Sequence, residues 1–251
     1  QELGILLFER GTRDLKLTSA GRSLYEDIDP LIEQLEASLA NYRETGRRKS
    51  VRLSVQPFFA SEFFVPRLSE FTAEHPDIDI QVGTSDEAEE KHPADADLSV
   101  RLFRSPPAGM RSDLLFPLRM VPAGSPDFAK AVKLKNKKIV SDFPVIVHES
   151  RPKAWTNWSR SSGIGLPETS KTMRLDSMIA VVRAVEQGLG AALVPVPLAD
   201  LWFKQGSIRR LFEHELVAEV SYYLVSREDR SGDETVETLR NWILQNFADT
   251  R

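Results

Sequence analysis

The sequence predicts an α/β protein with a mostly parallel sheet and helices on both faces, preceded by a small hairpin and one long helix. After residue 50, short apolar alternations are followed by runs with helical spacing, and this βαβ order is typical of parallel sheets. Before that point, a single helical stripe follows two short strand-like runs. The composition, with 41% apolar and 28% charged residues in 251, is that of a globular protein with a sizeable core.

Composition also excludes several classes of protein. The chain has no cysteine, which excludes disulfides, thiolate zinc sites and cysteine nucleophiles. No run approaches the roughly 18 apolar residues of a membrane span, and no signal-peptide pattern opens the chain. A net charge of −4 argues against nucleic-acid binding over the whole surface but permits a small basic module. We therefore expect a cytoplasmic protein with no membrane partner.

The first element is a β-hairpin. Residues 6–10 and 15–18 form two strand-like runs around 11–14, a polar connection that contains glycine. The hairpin carries Arg10, Arg13 and Lys16, cations that contact phosphate or a narrow minor groove in DNA-binding proteins. On spacing alone, an ordinary hairpin with solvated charges remains the alternative.

A long helix follows, capped by Thr18 or Ser19 and beginning near residue 20. Pro30 inside it is expected to kink the helix or weaken one turn. Such a narrow stripe has no core of its own, which favours a dimerising helix over one packed on its own domain. Residues 47–50 are interpreted as a hinge. The apolar positions step by three and four and are Leu24, Ile28, Leu31, Leu35, Leu39 and Tyr42.

The remaining elements alternate. Strands are predicted at 51–55, 78–82, 98–102, 144–148, 191–194 and 220–225. Helices are predicted from Phe63 to His75-Pro76 and at 154–162, 176–187 and 234–247. Trp155 and Trp158 share one helix face and are interpreted as core.

Two groups of motifs carry a family resemblance. LGILLFER at 3–10 followed by GTRDLKLTSAG at 11–21 resembles the wing of LysR-type transcriptional regulators. Five later pieces are similar to the effector domain of the subgroup with the glycine-cleavage and β-lactamase activators. They are PRLSEF at 66–71, HPDI at 75–78, DLSVR at 97–101, HE at 148–149 and GLGAAL at 188–193.

The resemblance implies a domain organisation. It implies a winged helix-turn-helix, of which most reading helices are expected to be missing, a dimerising linker helix, and a periplasmic-binding-protein-like effector domain. Two crossing strands, near 121–124 and 224–227, would join its two subdomains. The expected ranges are 1–18 for the wing, 19–46 for the linker helix, 47–50 for the hinge, 51–122 plus 227–251 for subdomain I, and 123–226 for subdomain II.

The same resemblance implies a DNA-binding transcriptional regulator rather than an enzyme, with no cofactor. Expected partners are promoter DNA, a small-molecule effector, a second copy in a dimer or tetramer, and RNA polymerase. The wing residues implied to contact DNA are Arg10, Arg13, Lys16 and Thr18.

An effector pocket is expected between the subdomains, at the carboxyl ends of strands. Phe58 stands where the subgroup usually has Ser or Thr, and for both Phe58 and Phe59 a ligand-facing role and core packing are equally open. Arg101 would hold a ligand carboxylate or pair with a neighbouring acid. The implied effector-binding residues are Phe58, Phe59, Ser61, Thr84, Ser85, Arg101, His148, Glu149, Ser177, Val194 and Pro195.

Three other interpretations of the sequence are weaker. Acidic residues at 86–97 with His92 lack calcium-loop spacing and are typical of a solvated face, so no metal site is expected. His148, Glu149 and Ser150 suggest a nucleophile and base, yet the elbow motifs of hydrolases are absent, which leaves an α/β enzyme as the weaker rival. A transport-type solute-binding protein would share the bilobal fold but would not explain the wing or the long helix.

Overall fold

The computed structural model describes residues 6–10, 15–44, 49–85, 92–167, 171–228 and 232–248. The chain forms two compact units, Gln1–Lys49 and Ser50–Arg251.

The first unit contains the predicted hairpin and helix. Strands β1 (Phe8–Arg10) and β2 (Leu15–Leu17) pair antiparallel. Helix α1 spans Ser19–Glu44 and runs unbroken through residue 30. Thr18 caps it, because its hydroxyl accepts a hydrogen bond from the Gly21 amide at 2.9 Å.

The Thr18 hydroxyl also ties the helix to the start of the hairpin. It donates to the carbonyl oxygen of Leu6 at 2.7 Å. Glycine is required at position 21 for the same close approach, since a Cβ there would lie 2.0 Å from the carbonyl oxygen of Leu7.

The second unit is built on a nine-stranded sheet. Its strands are β3 (Lys49–Val55), β4 (Ile78–Thr84), β5 (Leu98–Phe103), β6 (Met110–Gly124), β9 (Val145–His148), β10 (Thr172–Leu175), β11 (Ala191–Val196), β12 (Arg209–Arg210) and β13 (Leu216–Arg227). The order is β10-β9-β11-β6-β13-β5-β3-β4, and β12 pairs with β6. A separate hairpin joins β7 (Leu134–Lys135) and β8 (Lys138–Ile139).

Helices fill the connections between these strands. They are α2 (Pro57–Phe59), α3 (Val65–Glu74), α4 (Pro126–Ala131), α5 (Ala154–Ser162), α6 (Met178–Glu186), α7 (Asp200–Gln205) and α8 (Glu234–Phe247). A π-helical turn, Ala60–Phe64, links α2 to α3.

Two long antiparallel strands, β6 and β13, form the centre of the sheet. On one side of them β3 and β5 are parallel, and on the other side β9 is parallel to both β10 and β11. The predicted parallel arrangement therefore holds on the flanks, whereas the centre is antiparallel because these two strands cross from one flank to the other. The two ranges predicted for the crossings lie on these strands: β6 includes residues 121–124, and β13 includes residues 224–227.

Most of the predicted elements lie within two residues of their observed ends, although β13 begins four residues before its predicted start at residue 220. Strands β7, β8, β10 and β12 were not predicted, because they are two to four residues long and carry little periodic signal. The start of β6 was not predicted either, since exposed positions interrupt its apolar pattern.

Aromatic side chains dominate the core of the second unit. Trp155 and Trp158 are buried as predicted, and the Trp158 indole donates to the carbonyl oxygen of His214 at 2.9 Å. Within the described residues, no helix combines the length and the hydropathy needed to cross a bilayer.

Candidate functional site: a cavity at the strand ends

A cavity of about 280 Å³ lies in the second unit, and we call it the strand-end cavity. The carboxyl ends of β3, β9 and β10 reach it, and the central strands β6 and β13 pass along it. Its lining residues are Gln56, Pro57, Phe58, Leu102, Leu118, Met120, His148, Glu149, Ser150, Arg151, Asp176, Ser177, Met178, Ile179, Pro195 and Tyr222. Elements from both flanks of the sheet therefore contribute to one site, as is usual for ligand sites in α/β folds.

The wall from the first flank is the turn after β3. Proline at position 57 starts α2, where its missing amide costs no hydrogen bond. Phe58 lines the cavity, whereas Phe59 is fully buried in the core. Successive helical residues point about 100° apart, so the two neighbouring rings separate into a cavity residue and a core residue. Core packing therefore describes Phe59, whereas Phe58 lines the cavity and its ligand-facing role stays a prediction.

The opposite wall is the turn after β9. The amide of Ser150 donates to Nδ1 of His148 at 3.3 Å, which places the proton of the neutral imidazole on Nε2. Arg151 donates through Nη1 to Oγ of Ser150 at 3.1 Å. The Glu149 amide donates to the carbonyl oxygen of Leu175 at 2.8 Å, so the ladder between β9 and β10 continues to the edge of the cavity.

The third wall is the start of α6. Ser177 occupies the N-cap position, yet its side chain makes no capping hydrogen bond. The first bond of the helix runs from the Val181 amide to the carbonyl oxygen of Ser177, at 2.9 Å. The amides of the first turn therefore have no intrahelical acceptor, and those of Met178 and Ile179 belong to residues that line the cavity.

The structure brings five of the proposed effector-binding residues together and places six elsewhere. Those that line the cavity are Phe58, His148, Glu149, Ser177 and Pro195. Phe59 and Val194 are buried in the core, Ser61 is exposed on the π-helical turn, and Thr84 is exposed at the end of β4. The amide of Ser85 donates to the carbonyl oxygen of Val55 at 3.2 Å, outside the cavity lining.

Leu118, Met120 and Tyr222 are lining residues that were not predicted from the sequence. They lie on the central strands, and only the pairing of β6 with β13 shows which of their side chains reach the cavity. Arg151 was not predicted either, although its position three residues after His148 in a turn was a usable signal.

Arg101 lies in a buried polar network away from the cavity. Its side chain is 1% exposed, and its Nη2 donates to Oγ of Ser54 at 2.6 Å. Its Nη1 donates to the carbonyl oxygen of Val100 at 3.1 Å. Both acceptors are neutral oxygens on β3 and β5, and Arg101 is not among the residues that line the cavity.

His92 is a second buried polar residue, close enough to Arg101 for the positive charge to act on it. Its Nε2 bonds to the carbonyl oxygen of Ala96 at 3.1 Å, and its Nδ1 lies 2.8 Å from Oγ of Ser99. Because a carbonyl only accepts, the proton of the neutral ring is on Nε2. Burial lowers the pKa of His92, and the positive charges of Arg227 and Arg101 lower it further, against the raising effect of the Ala96 carbonyl and Asp95.

Acidification is expected to destabilise the protein through His92. In the unfolded chain this residue takes up a proton near the ordinary histidine pKa of 6.5, while the folded state with its lowered pKa does not. Stability is therefore lost as the pH falls below about 6.5, and this loss continues down to the folded pKa. Urea unfolding between pH 7.5 and 5 should show a steeper loss for the wild type than for His92→Gln. Parallel stability curves would contradict this account.

Metal binding finds no support in the geometry. The described residues contain no group of three His, Cys, Asp or Glu side chains suited to hold a metal ion. Asp97 accepts a hydrogen bond from the Arg52 amide at 2.9 Å, and residues 86–91 lie outside the described residues.

The residues predicted for DNA binding and dimerisation belong to the first unit, to its hairpin and to α1. Lys16 is exposed, Thr18 caps α1, the side chain of Arg10 is not described, and Arg13 lies outside the described residues. On α1, Leu24 is half-buried, while Ile28, Leu31 and Leu35 are 39%, 62% and 58% exposed. Tyr25 and Ile32, also exposed, widen this stripe. The side chains of Leu39 and Tyr42 lie outside the described residues.

Comparison with known proteins identifies the family. The LysR substrate binding domain matches residues 44–248. The Escherichia coli K12 "Glycine cleavage system transcriptional activator" is 27% identical over 247 residues, covering 98% of this chain and 81% of that protein. The Enterobacter cloacae "Carbapenem-hydrolyzing beta-lactamase transcriptional activator" is 26% identical over 250 residues, covering 98% and 82%.

Solved structures share the fold. The effector binding domain of AmpR from Citrobacter freundii superposes with a TM-score of 0.67 at 20% identity, covering 79% of this chain and 98% of that one. Full-length AphB of Vibrio cholerae gives 0.61 at 18% identity, covering 98% and 86%. The Escherichia coli and Enterobacter cloacae relatives are transcriptional activators, and they lend no support to a transport protein. Since the family match spans most of the sequence, the chain belongs to the LysR family of transcriptional regulators, and its second unit is their effector-binding domain.

Proposed function

We propose that a small molecule binds in the strand-end cavity and changes the angle between two subdomains, residues 51–122 plus 227–251 and residues 123–226. One observation carries this proposal: a single cavity is lined by strand ends from both flanks of a sheet whose centre is two crossing strands. A ligand there contacts both flanks at once. If the flanks have two arrangements, the ligand shifts the equilibrium toward the arrangement that it binds more tightly. The size of this shift is set by the difference between its binding free energies for the two arrangements.

The output of this change is proposed to be transcriptional. The chain would act in the cytoplasm on promoter DNA, as a dimer or tetramer that contacts RNA polymerase, and without catalysing a reaction. A change in subdomain angle would alter oligomer geometry and hence the spacing of the DNA-binding heads. The exposed apolar stripe of α1 supports self-association, because a single helix gains stability by burying such a stripe against a partner.

Blocking the cavity should abolish effector binding. Ser177→Trp adds a large side chain to the lining, and it removes no capping hydrogen bond, so α6 is expected to form normally. A thermal-shift screen with amino acids, aromatic acids and cell-wall fragments should find a compound that raises the Tm of the wild type but not of this variant.

The matched control is Thr156→Trp, at an exposed position on α5 outside the cavity lining. It adds the same indole and should retain the ligand response. A compound that stabilises Ser177→Trp as strongly as the wild type binds elsewhere, and that result would remove the cavity from the mechanism.

A charge on the α1 stripe should dissociate the oligomer. Leu31→Glu places a carboxylate in the most exposed part of the stripe, which would have to lose water in a helix–helix interface. Sedimentation velocity should show a monomer at concentrations where the wild type is a dimer or tetramer. Ser23→Glu adds the same charge at an exposed polar position and should leave the assembly intact. An unchanged oligomer in Leu31→Glu would exclude the stripe as the interface.

A further inference from the structure

Two acidic residues follow neighbouring strand ends in the cavity lining. His148 and Leu175 are register partners on the parallel strands β9 and β10. The residues that follow them are Glu149 and Asp176, and both line the cavity. Neighbouring strands lie about 4.8 Å apart, and the Glu149 amide bonds to the carbonyl oxygen of Leu175, so the two acidic residues leave adjacent strand ends at the same edge of the cavity.

These carboxylates lack a counter-ion within the described part of the protein. Glu149 and Asp176 are both solvent-exposed at the mouth of the cavity, and among the described residues neither makes a side-chain hydrogen bond or ion pair. Arg151 is the cation among the lining residues, and its Nη1 is directed to the hydroxyl of Ser150. Like charges at adjacent positions repel, so a cation bound between the two carboxylates would remove an unfavourable interaction.

The rest of the lining determines what kind of cation fits. The rings of Phe58 and Tyr222 lie in the wall together with Leu102, Leu118, Met120 and Ile179. Aromatic faces attract an ammonium group, and the aliphatic side chains accommodate an apolar body. With a volume of about 280 Å³, the cavity is slightly below the roughly 300–1,000 Å³ of sites for drug-sized ligands, so the ligand is small.

Building on the function proposed above, we propose that the effector is a small apolar compound with a primary ammonium group, which is bound by Glu149 and Asp176. An organic acid without an amine would bring a third carboxylate to this wall, and that repulsion selects against it. An apolar amino acid is compatible with the same site, since its carboxylate finds donors in the first-turn amides of α6.

Matched pairs of ligands test this proposal. Butylamine, cyclohexylmethylamine and phenethylamine are compared with butyrate, cyclohexylacetate and 3-phenylpropionate, and L-phenylalanine is added, all by calorimetry on the full chain. We expect at least one amine-bearing compound to bind at least tenfold more tightly than its acid counterpart. The double variant Glu149→Gln/Asp176→Asn should weaken that binding at least tenfold.

The control is Asp142→Asn/Glu213→Gln, which removes the same charge from exposed positions outside the cavity lining and should bind like the wild type. Acids that bind as tightly as amines, or amine binding that survives the double variant, would overturn the ammonium proposal. If those acids lose binding in Ser177→Trp, the cavity remains the effector site. If no compound of either series binds, the ammonium proposal fails, and the wider screen against Ser177→Trp separately decides whether the cavity binds an effector.

Discussion

Replacing Phe59 with alanine is expected to lower the free energy of unfolding of the second unit by about 3–5 kcal/mol. The ring is fully buried and lies 5.5 Å from Phe63, 5.6 Å from Tyr222 and 5.8 Å from Phe247, centroid to centroid. Alanine would remove these aromatic contacts and leave a void that packed neighbours fill only in part. Urea unfolding followed by tryptophan fluorescence would measure the loss.

The adjacent ring is the natural control. Phe58 is also shielded from solvent, but one side of it faces the strand-end cavity rather than packed side chains. Phe58→Ala should therefore lower the free energy of unfolding by less than half as much as Phe59→Ala does. It should also change the response to ligands in the thermal-shift screen. Equal losses for the two variants would mean that both rings serve the core alone.

The second large effect is expected at Asp113 on β6. Arg240 on α8 is completely buried and bonds to Asp113 and, at 2.8 Å, to Oγ of Ser226 on β13. Asp113→Ala leaves this guanidinium without its counter-ion. Because the Asp113 side chain is 36% exposed, water reaches part of the gap. We expect the free energy of unfolding to fall by about 2–3 kcal/mol. This is less than the ~3–5 kcal/mol that is lost when a fully buried ion pair is broken.

An exposed pair provides the comparison. Arg104 and Glu219 lie 2.6 Å apart, with side chains 69% and 79% exposed. Glu219→Ala should change the free energy of unfolding by less than about 1 kcal/mol, since solvated pairs contribute little. If Asp113→Ala is no more destabilising than Glu219→Ala, then Arg240 tolerates burial without this carboxylate.

The position of Arg240 links stability to the proposed mechanism. Asp113 and Ser226 belong to the two central strands that cross between the flanks, and α8 bonds to both through one side chain. Arg111 on β6 adds a second ion pair to α8, with Glu237. Helix α8 thus links the two crossing strands to each other.

Local sequence signals were sufficient for much of the fold. Helix α5 was predicted with its observed ends, and Trp155 and Trp158 share a buried face as expected; in the structure Gly163 ends the helix in the left-handed conformation. The hairpin of the first unit, α1 and α8 likewise follow from spacing and caps, and the predicted family is confirmed by the match to the effector domain.

Local signals were insufficient for the site. Five of the effector residues predicted from the sequence line one cavity at the strand ends, but whether they bind an effector stays a prediction. Arg101 was proposed on its chemistry, yet the pairing of β3 with β5 buries it against Ser54. A sequence shows which residue types are available, whereas burial depends on the strands that pack around them.

What the sequence by itself determined is most of the longer elements and the family, because periodicity, caps and motifs are properties of short segments. What only the tertiary structure decided is how residues far apart in the chain meet. Examples are the cavity side chains of β6 and β13, the separate positions of Phe58 and Phe59, and the adjacent strand ends that carry Glu149 and Asp176. The physical reason is register: strand pairing fixes which side chains share a face, and the order of the strands depends on contacts along the whole chain.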